Sequence, residues 1–197
     1  MKKTSVKITD EQLILCFQKG DVSCFEELVR RYKDQLLNFA YRFVGNRSDS
    51  EDIVQETFLR VFKNKHYYKE IAKFSTWIYT IAGNLAKTEL RQKKRRKLLS
   101  LSAISNDDKD FEIPDEQHNP ENEVDDNIKS LMIHNSIDKL PSHFKEVILL
   151  RDVRGFAYDE ISRILDIPIG TVKSRVNRGR LKLQEELSDI FDDPGKN

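Results

Sequence analysis

The side chains best suited to recognition chemistry in this 197-residue chain lie between Phe156 and Leu183. From Ile169 onward, a 100° wheel gathers Lys173, Ser174, Asn177 and Arg178 on one side, with Arg175 beside them. Val172, Val176, Gly179 and Leu183 fall on the opposite stripe at helical spacing. The first set is cationic and rich in hydrogen-bonding groups. An Arg can hold guanine in a bidentate contact in the major groove. The chemistry is therefore the reading of base edges.

A second set occupies the long segment after Phe74. Thr80, Asn84, Lys87 and Arg91 recur at i, i+4, i+7 and i+11, with Trp77 at the edge of the stripe. Aromatic, amide and then cations is an order that suits single-stranded nucleic acid, with bases on rings and phosphates on cations. An Asn offers both a donor and an acceptor to an extruded base.

Bond-making chemistry has little support. The chain has no phosphate-binding glycine loop, nucleophile motif or HExxH. His66, His118, His134 and His143 are scattered without ligand spacing. Cys16 and Cys24 stand eight apart with no second pair, and are expected as free thiols in a reducing compartment. No metal and no cofactor is expected.

The elements that must position these sets are helices. Strand-like alternation is absent, and seven Gly and five Pro argue against a turn-dense fold. The expected class is all-α, as two small helical domains joined by a flexible acidic linker, the second with a helix-turn-helix. Gln12–Gly20 and Cys24–Phe43 open the first domain. Ser48 or Ser50 is expected to cap the next helix, which buries Ile53, Val54, Phe58, Val61 and Phe62. A polar stretch, Lys63–Lys73, precedes the long helix, whose inner stripe is Ile78, Ile81, Ala82 and Leu85. The boundaries expected are 1–99, 100–126 and 127–197. In the last part Tyr158–Leu165 is amphipathic, Asp166-Ile167-Pro168 interrupts, and a second helix starts near Ile169. That is the pattern of a helix-turn-helix, whose second helix enters the major groove.

The net charge of +1 hides segregation. Residues 86–97 hold seven cations against one acid, a net of +6, whereas residues 106–126 hold ten acids against one cation, a net of −9. Blocks of opposite sign suggest separate electrostatic roles. The N-terminus has no secretory signal pattern, and no stretch approaches the roughly 18 apolar residues of a membrane span. A cytoplasmic location without membrane insertion is the expectation.

FEELVRRY (Phe25–Tyr32), SEDIVQETFLRVF (Ser50–Phe62), FSTWIYTIAGNLAKTELRQKKRR (Phe74–Arg96) and the stretch Leu140–Leu183 with TVKSRVNRGR follow one another in this chain. In both content and order they resemble a bacterial RNA polymerase sigma factor. The resemblance is greatest to the extracytoplasmic-function (ECF) group of the sigma-70 family. It implies that Asp52, Gln55, Glu56 and Arg60 dock on the clamp coiled coil of the largest subunit of core RNA polymerase. It implies that the helix from Phe74 recognises and melts the −10 element of promoter DNA through Trp77, Thr80, Asn84, Lys87, Arg91, Arg95 and Arg96. It implies that Lys173, Ser174, Arg175, Asn177 and Arg178 read the −35 element, and that this second domain touches the flap of the β subunit. An anti-sigma factor is a further implied partner. Asn177 and Gly179 depart from the family's pattern in that helix, so the −35 sequence is not carried over. A helix-turn-helix activator of the response-regulator or quorum type is the alternative. It requires an α/β domain upstream, for which residues 1–100 give no strands. A polymerase adaptor that binds no DNA is a further alternative, disfavoured by the cationic recognition face.

Overall fold

The computed structural model describes residues 8–103, 132–133 and 135–191, without the side chains of 97–103 and 189–191. The elements are α1 (Asp10–Gln18), α2 (Val22–Val44), α3 (Arg47–Lys63), a 3₁₀ turn (Lys65–Tyr67), α4 (Phe74–Ala103) and the short α5 (135–139). There follow α6 (Ser142–Ile148), a π-helical turn (Leu149–Val153), α7 (Tyr158–Leu165) and α8 (Ile169–Phe191). Among the described residues there is no strand, as the all-α expectation requires.

Local chemistry sets the ends. Thr9 and Gln12 form a reciprocal capping box at the start of α1 (3.2 and 3.0 Å). Asp21 caps α2 by accepting from the Ser23 N–H at 2.9 Å, and Gly45 ends that helix at φ +67°, where a Cβ would be strained. The cap of α3 differs from expectation. Asn46, not Ser48 or Ser50, accepts from the Asp49 N–H at 3.0 Å, while the Ser50 hydroxyl turns inward to the Asn46 carbonyl. An Asx side chain directly after the αL glycine reaches the first turn before any serine can. The start of α4 is held from a distance, since the Phe74 N–H donates to Glu11 of α1 at 3.1 Å.

Two further expectations are corrected. Phe62 is 45% exposed rather than buried; only one side of its ring meets Phe17 and Phe25. Cys16 and Cys24 are not free thiols but a disulfide, with Cα atoms 6.2 Å apart. Counting eight residues as two helical turns missed the reversal at residues 19–21, which sets the end of α1 beside the start of α2.

The helix-turn-helix follows the expected boundaries. Ile161, Ile164 and Leu165 are buried. Asp166 takes φ +53°, which Asp tolerates better than most residues. The Ser162 hydroxyl closes the turn on the Ile167 carbonyl at 2.6 Å.

The two halves are not separate cores. Helix α4 packs on α2 and α3 with one side and on α7 with another. Tyr79 stands between Phe39 of α2 and Phe156 of the other half, both ring centroids at 5.0 Å. A Cβ built on Gly83 would lie 3.6 Å from Ile164, so the helices meet closely there. The expected acidic linker lies mostly outside the described residues; α4 itself continues through its first positions to Ala103.

Candidate nucleic-acid and polymerase interface

The expected −35 face is open. Lys173, Ser174, Asn177 and Arg178 are exposed on α8, while Val172, Val176 and Gly179 are buried behind them. Gly179 has a packing reason. A Cβ there would sit 2.9 Å from Ile148 and 3.5 Å from Phe144, so the glycine lets α8 cross α6 almost backbone to side chain. Arg175 departs from its neighbours. It is half-buried, and its charge acts on Glu146 and Lys87 at the seam between the halves.

The expected −10 stripe on α4 divides into two. Trp77, Ile81 and Asn84 line one side of a cavity of about 370 Å³, facing Arg60, Asn64 and Tyr67. Trp77 is half-buried against Tyr68 and Phe74 (centroids 5.5 and 6.0 Å), and Asn84 is exposed at the cavity wall. Arg91, Arg95 and Arg96 are exposed about two to three turns further on. Arg96 leans on Gln92 and Glu89 (3.2 and 3.9 Å). The other face meets α7. The Lys87 ammonium donates to the Leu165 carbonyl at the end of α7, where it complements the helix dipole. Burial holds the Lys87 pKa below the usual lysine range, against the pull of Glu146 and Asp166. The same burial raises Glu146, partly offset by Lys87 and Arg175. Thr80 spends its hydroxyl on the Thr76 carbonyl at 2.7 Å. The four stripe residues therefore do not share one environment, because positions 84 and 87 lie about 60° apart around the helix.

Glu160 anchors the seam. Its carboxylate caps α7 by accepting from the Ala157 N–H (2.8 Å), accepts from the Thr76 hydroxyl (3.1 Å) and pairs with Lys73 (3.3 Å). Burial alone raises its pKa, but these donors outweigh it and the net direction is downward.

On α3, Asp52, Gln55, Glu56 and Leu59 line a shallow groove of about 490 Å³. Glu56 and Arg60 pair at 2.7 Å. Leu59 is 44% exposed in this polar row, and sequence reasoning passed over it because it reads as one more apolar position of an amphipathic helix. Asn64 and Tyr67 were likewise missed inside a stretch read as merely polar; Tyr67 and Tyr68 were the signal. Arg60 serves two surfaces, since it also lines the cavity of Trp77.

The cleft of about 830 Å³ between the halves shows no nucleophile-and-base pairing. Its carboxylates Asp10, Glu27 and Glu160 are engaged with Arg31, Arg30 and Lys73. No helix among the described residues is long and apolar enough to cross a membrane.

Comparison with known proteins follows the same division. Residues 28–96 match the family Sigma-70 region 2, and residues 130–183 match Sigma-70, region 4. The chain is 37% identical over 175 residues to the ECF RNA polymerase sigma factor SigW of Bacillus subtilis, covering 88% of this chain and 94% of that one. It is 33% identical over 191 residues to the ECF RNA polymerase sigma-E factor of Escherichia coli, covering 95% and 98%. Among solved structures it is similar to the sigma factor RpoE of Bartonella quintana in complex with the anti-sigma factor NepR. That likeness has a TM-score of 0.63 at 23% identity and covers 83% of this chain and 96% of that one. CnrH in complex with the cytosolic domain of CnrY follows, with a TM-score of 0.61 at 21% identity, covering 94% and 99%. These two likenesses concern the fold.

Proposed function

We propose a division of labour among the surfaces of this chain from one premise: it belongs to the extracytoplasmic-function group of the sigma-70 family of RNA polymerase sigma factors. As such it binds core RNA polymerase and promoter DNA and directs promoter-specific initiation of transcription. The exposed row Asp52, Gln55, Glu56 and Arg60, with Leu59 among them, is the surface for the clamp coiled coil. The outer face of α8 reads the −35 element, and the β flap meets the same half. The cavity between Trp77, Asn84 and Tyr67 takes a base extruded from the −10 element, with Arg91, Arg95 and Arg96 along the strand. The chain does this in the cytoplasm and without catalysing a reaction of its own, since opening DNA needs only binding that favours the separated strand. An anti-sigma factor is its proposed regulator.

The two promoter elements lie about 25 base pairs apart, roughly 85 Å of duplex. A compact chain of this length has a radius of gyration of about 16 Å. The halves must therefore part on the promoter. Parting also exposes Lys87 and Thr80, which then join Asn84 on the DNA side.

The observation that carries the −10 assignment is Asn84 at the wall of an aromatic-lined cavity, followed by exposed arginines. Asn84→Ala is expected to bind polymerase normally and to lose permanganate reactivity near −10 while protection near −35 persists. Unchanged reactivity would take Asn84 out of the site.

A further inference from the structure

Cys16 lies in the last turn of α1, and Cys24 is the third residue of α2. We propose that this pair is a reversible thiol-oxidation site whose state governs how firmly the Lys65–Tyr68 segment is held against the cavity of Trp77 and Asn84. The functional half of this proposal rests on reading that cavity as the pocket for an extruded base.

The reactive order follows from position. Cys24 sits in the first turn of a 23-residue helix, where the helix dipole favours negative charge and so the thiolate. Both cysteines are half-exposed, within reach of a small oxidant. Cys16 instead lies in the last turn of α1, at the negative end of that helix's dipole, with its sulfur 3.6 Å from the Asp21 carboxylate. The oxidant class is a hydroperoxide. The Cys24 thiolate attacks one peroxide oxygen, the O–O bond breaks, and hydroxide leaves a sulfenic acid on Cys24. The Cys16 sulfur then attacks that sulfur, the S–O bond breaks, and the sulfenic hydroxyl departs as water with the Cys16 proton. A dithiol reductant reverses the bond by exchange through a mixed disulfide.

The mechanical path is short and is made of direct contacts. Phe17 follows Cys16 and Phe25 follows Cys24, and their rings stack at 4.8 Å. The Gln18 amide donates to the carbonyls of Lys65 (2.6 Å) and Tyr68 (3.1 Å). The Lys65 ammonium returns to the Phe17 carbonyl at 2.9 Å and lies 4.2 Å from the centroid of the Phe17 ring. Asn64 and Tyr67, at this same segment, form the cavity wall opposite Trp77 and Asn84. The covalent link thus fastens the end of α1, and the end of α1 carries one wall of the cavity.

The test uses the full chain, oxidised with hydrogen peroxide or reduced with dithiothreitol, freed of reagent and then mixed with core polymerase. Thiols are counted by the mass added by iodoacetamide, polymerase affinity is measured separately, and opening is followed by permanganate at −10. Oxidation is expected to consume both thiols, raise Tm by roughly 5–10 °C, leave polymerase affinity unchanged and speed opening several-fold. Cys16→Ser and Cys24→Ser should open at the reduced rate whatever the treatment. Complete oxidation with unchanged opening would make the link a passive staple and overturn the proposal. So would thiols that peroxide does not consume. Cys16, Asp21 and Cys24 place three ligand atoms within 4.8 Å of one another, so zinc is assayed in the reduced protein; a stoichiometric ion that blocks oxidation would replace the switch with a metal site. The Asn84→Ala variant separates the two readings. Normal opening in it removes the base pocket, whereas lost opening in it beside a redox-insensitive parent chain removes the switch alone.

Discussion

Thr76, on the helix that carries Asn84, donates its hydroxyl to Glu160 of the helix-turn-helix at 3.1 Å in a buried position. This is one of several polar links between the two halves, beside Lys87 to the Leu165 carbonyl and Arg154 to the Gln35 carbonyl, and the same carboxylate caps α7 and pairs with Lys73. Glu160→Ala leaves the Thr76 hydroxyl and the Ala157 N–H without that acceptor, a cost of about 1–3 kcal/mol. The folded carboxyl titrates below the ordinary glutamate value of 4.5, so its contribution is complete above that pH and is lost as pH falls through the lower folded value. Small-angle scattering is expected to show a larger radius of gyration in the variant at neutral pH, and in the parent chain only on acidification below pH 4.5. Equal radii for variant and parent would mean that the remaining contacts, Tyr79 on Phe156, Gly83 on Ile164 and Lys87 and Arg154 on backbone carbonyls of the other half, suffice to hold the halves.

Gly179→Ala tests the crossing of α6 and α8. The added methyl would lie 2.9 and 3.2 Å from two carbons of Ile148. Alanine gains about 1 kcal/mol of helix propensity, while overpacking a tight core costs about 1–3 kcal/mol. Net destabilisation in thermal melting is expected, with weaker −35 binding because α8 tilts. A variant more stable than the parent would show that Ile148 rotates away freely.

Arg178 and Arg175 should behave differently although they stand only three positions apart. Arg178 is exposed on the outer face, and Arg178→Ala is expected to cost about 1–3 kcal/mol of discrimination at one or two −35 positions. Arg175 faces Glu146 and Lys87, and Arg175→Ala should change the compactness of the free chain more than its sequence preference. Selection from a randomised promoter library separates the two effects. Uniform loss on all sequences for Arg178→Ala would reduce it to a phosphate contact.

Leu59→Asp places a charge in the groove of Asp52, Gln55 and Glu56. Affinity for core polymerase should fall, while binding of a single-stranded −10 oligonucleotide stays level. A matched fall in both would point to disturbed folding of α3.

Much of this was legible in the sequence because it is local. Tyr158–Leu165 carries a clear 3.6-residue period, and Asp166-Ile167-Pro168 breaks it, so those boundaries could be read directly. Charge segregation and the order Trp77, Asn84, Arg91 were equally visible. What was not legible depends on partners distant in sequence. A wheel drawn for α4 alone assigns Lys87 to the same side as Asn84, and nothing in the residues near Lys87 announces the Leu165 carbonyl. The Cys16–Cys24 link required knowing that the chain reverses at residues 19–21. Gly179 could be noticed as odd, but its reason lies in Ile148, thirty-one positions earlier.

The back of α8 is closely packed and its front is open. Behind, a Cβ at Gly179 would crowd the Ile148 side chain, and Val172 and Val176 are buried to within 1% exposure. In front, Lys173, Asn177 and Arg178 point away from the body of the protein, and no side-chain bond to another part of the described fold ties them down. On the proposed reading of that front, substitution there is expected to change which promoters are used without disturbing what holds the helix in place. Duplicated copies of such a gene can therefore drift to new sets of target promoters one residue at a time, each intermediate still folding and still meeting the same polymerase.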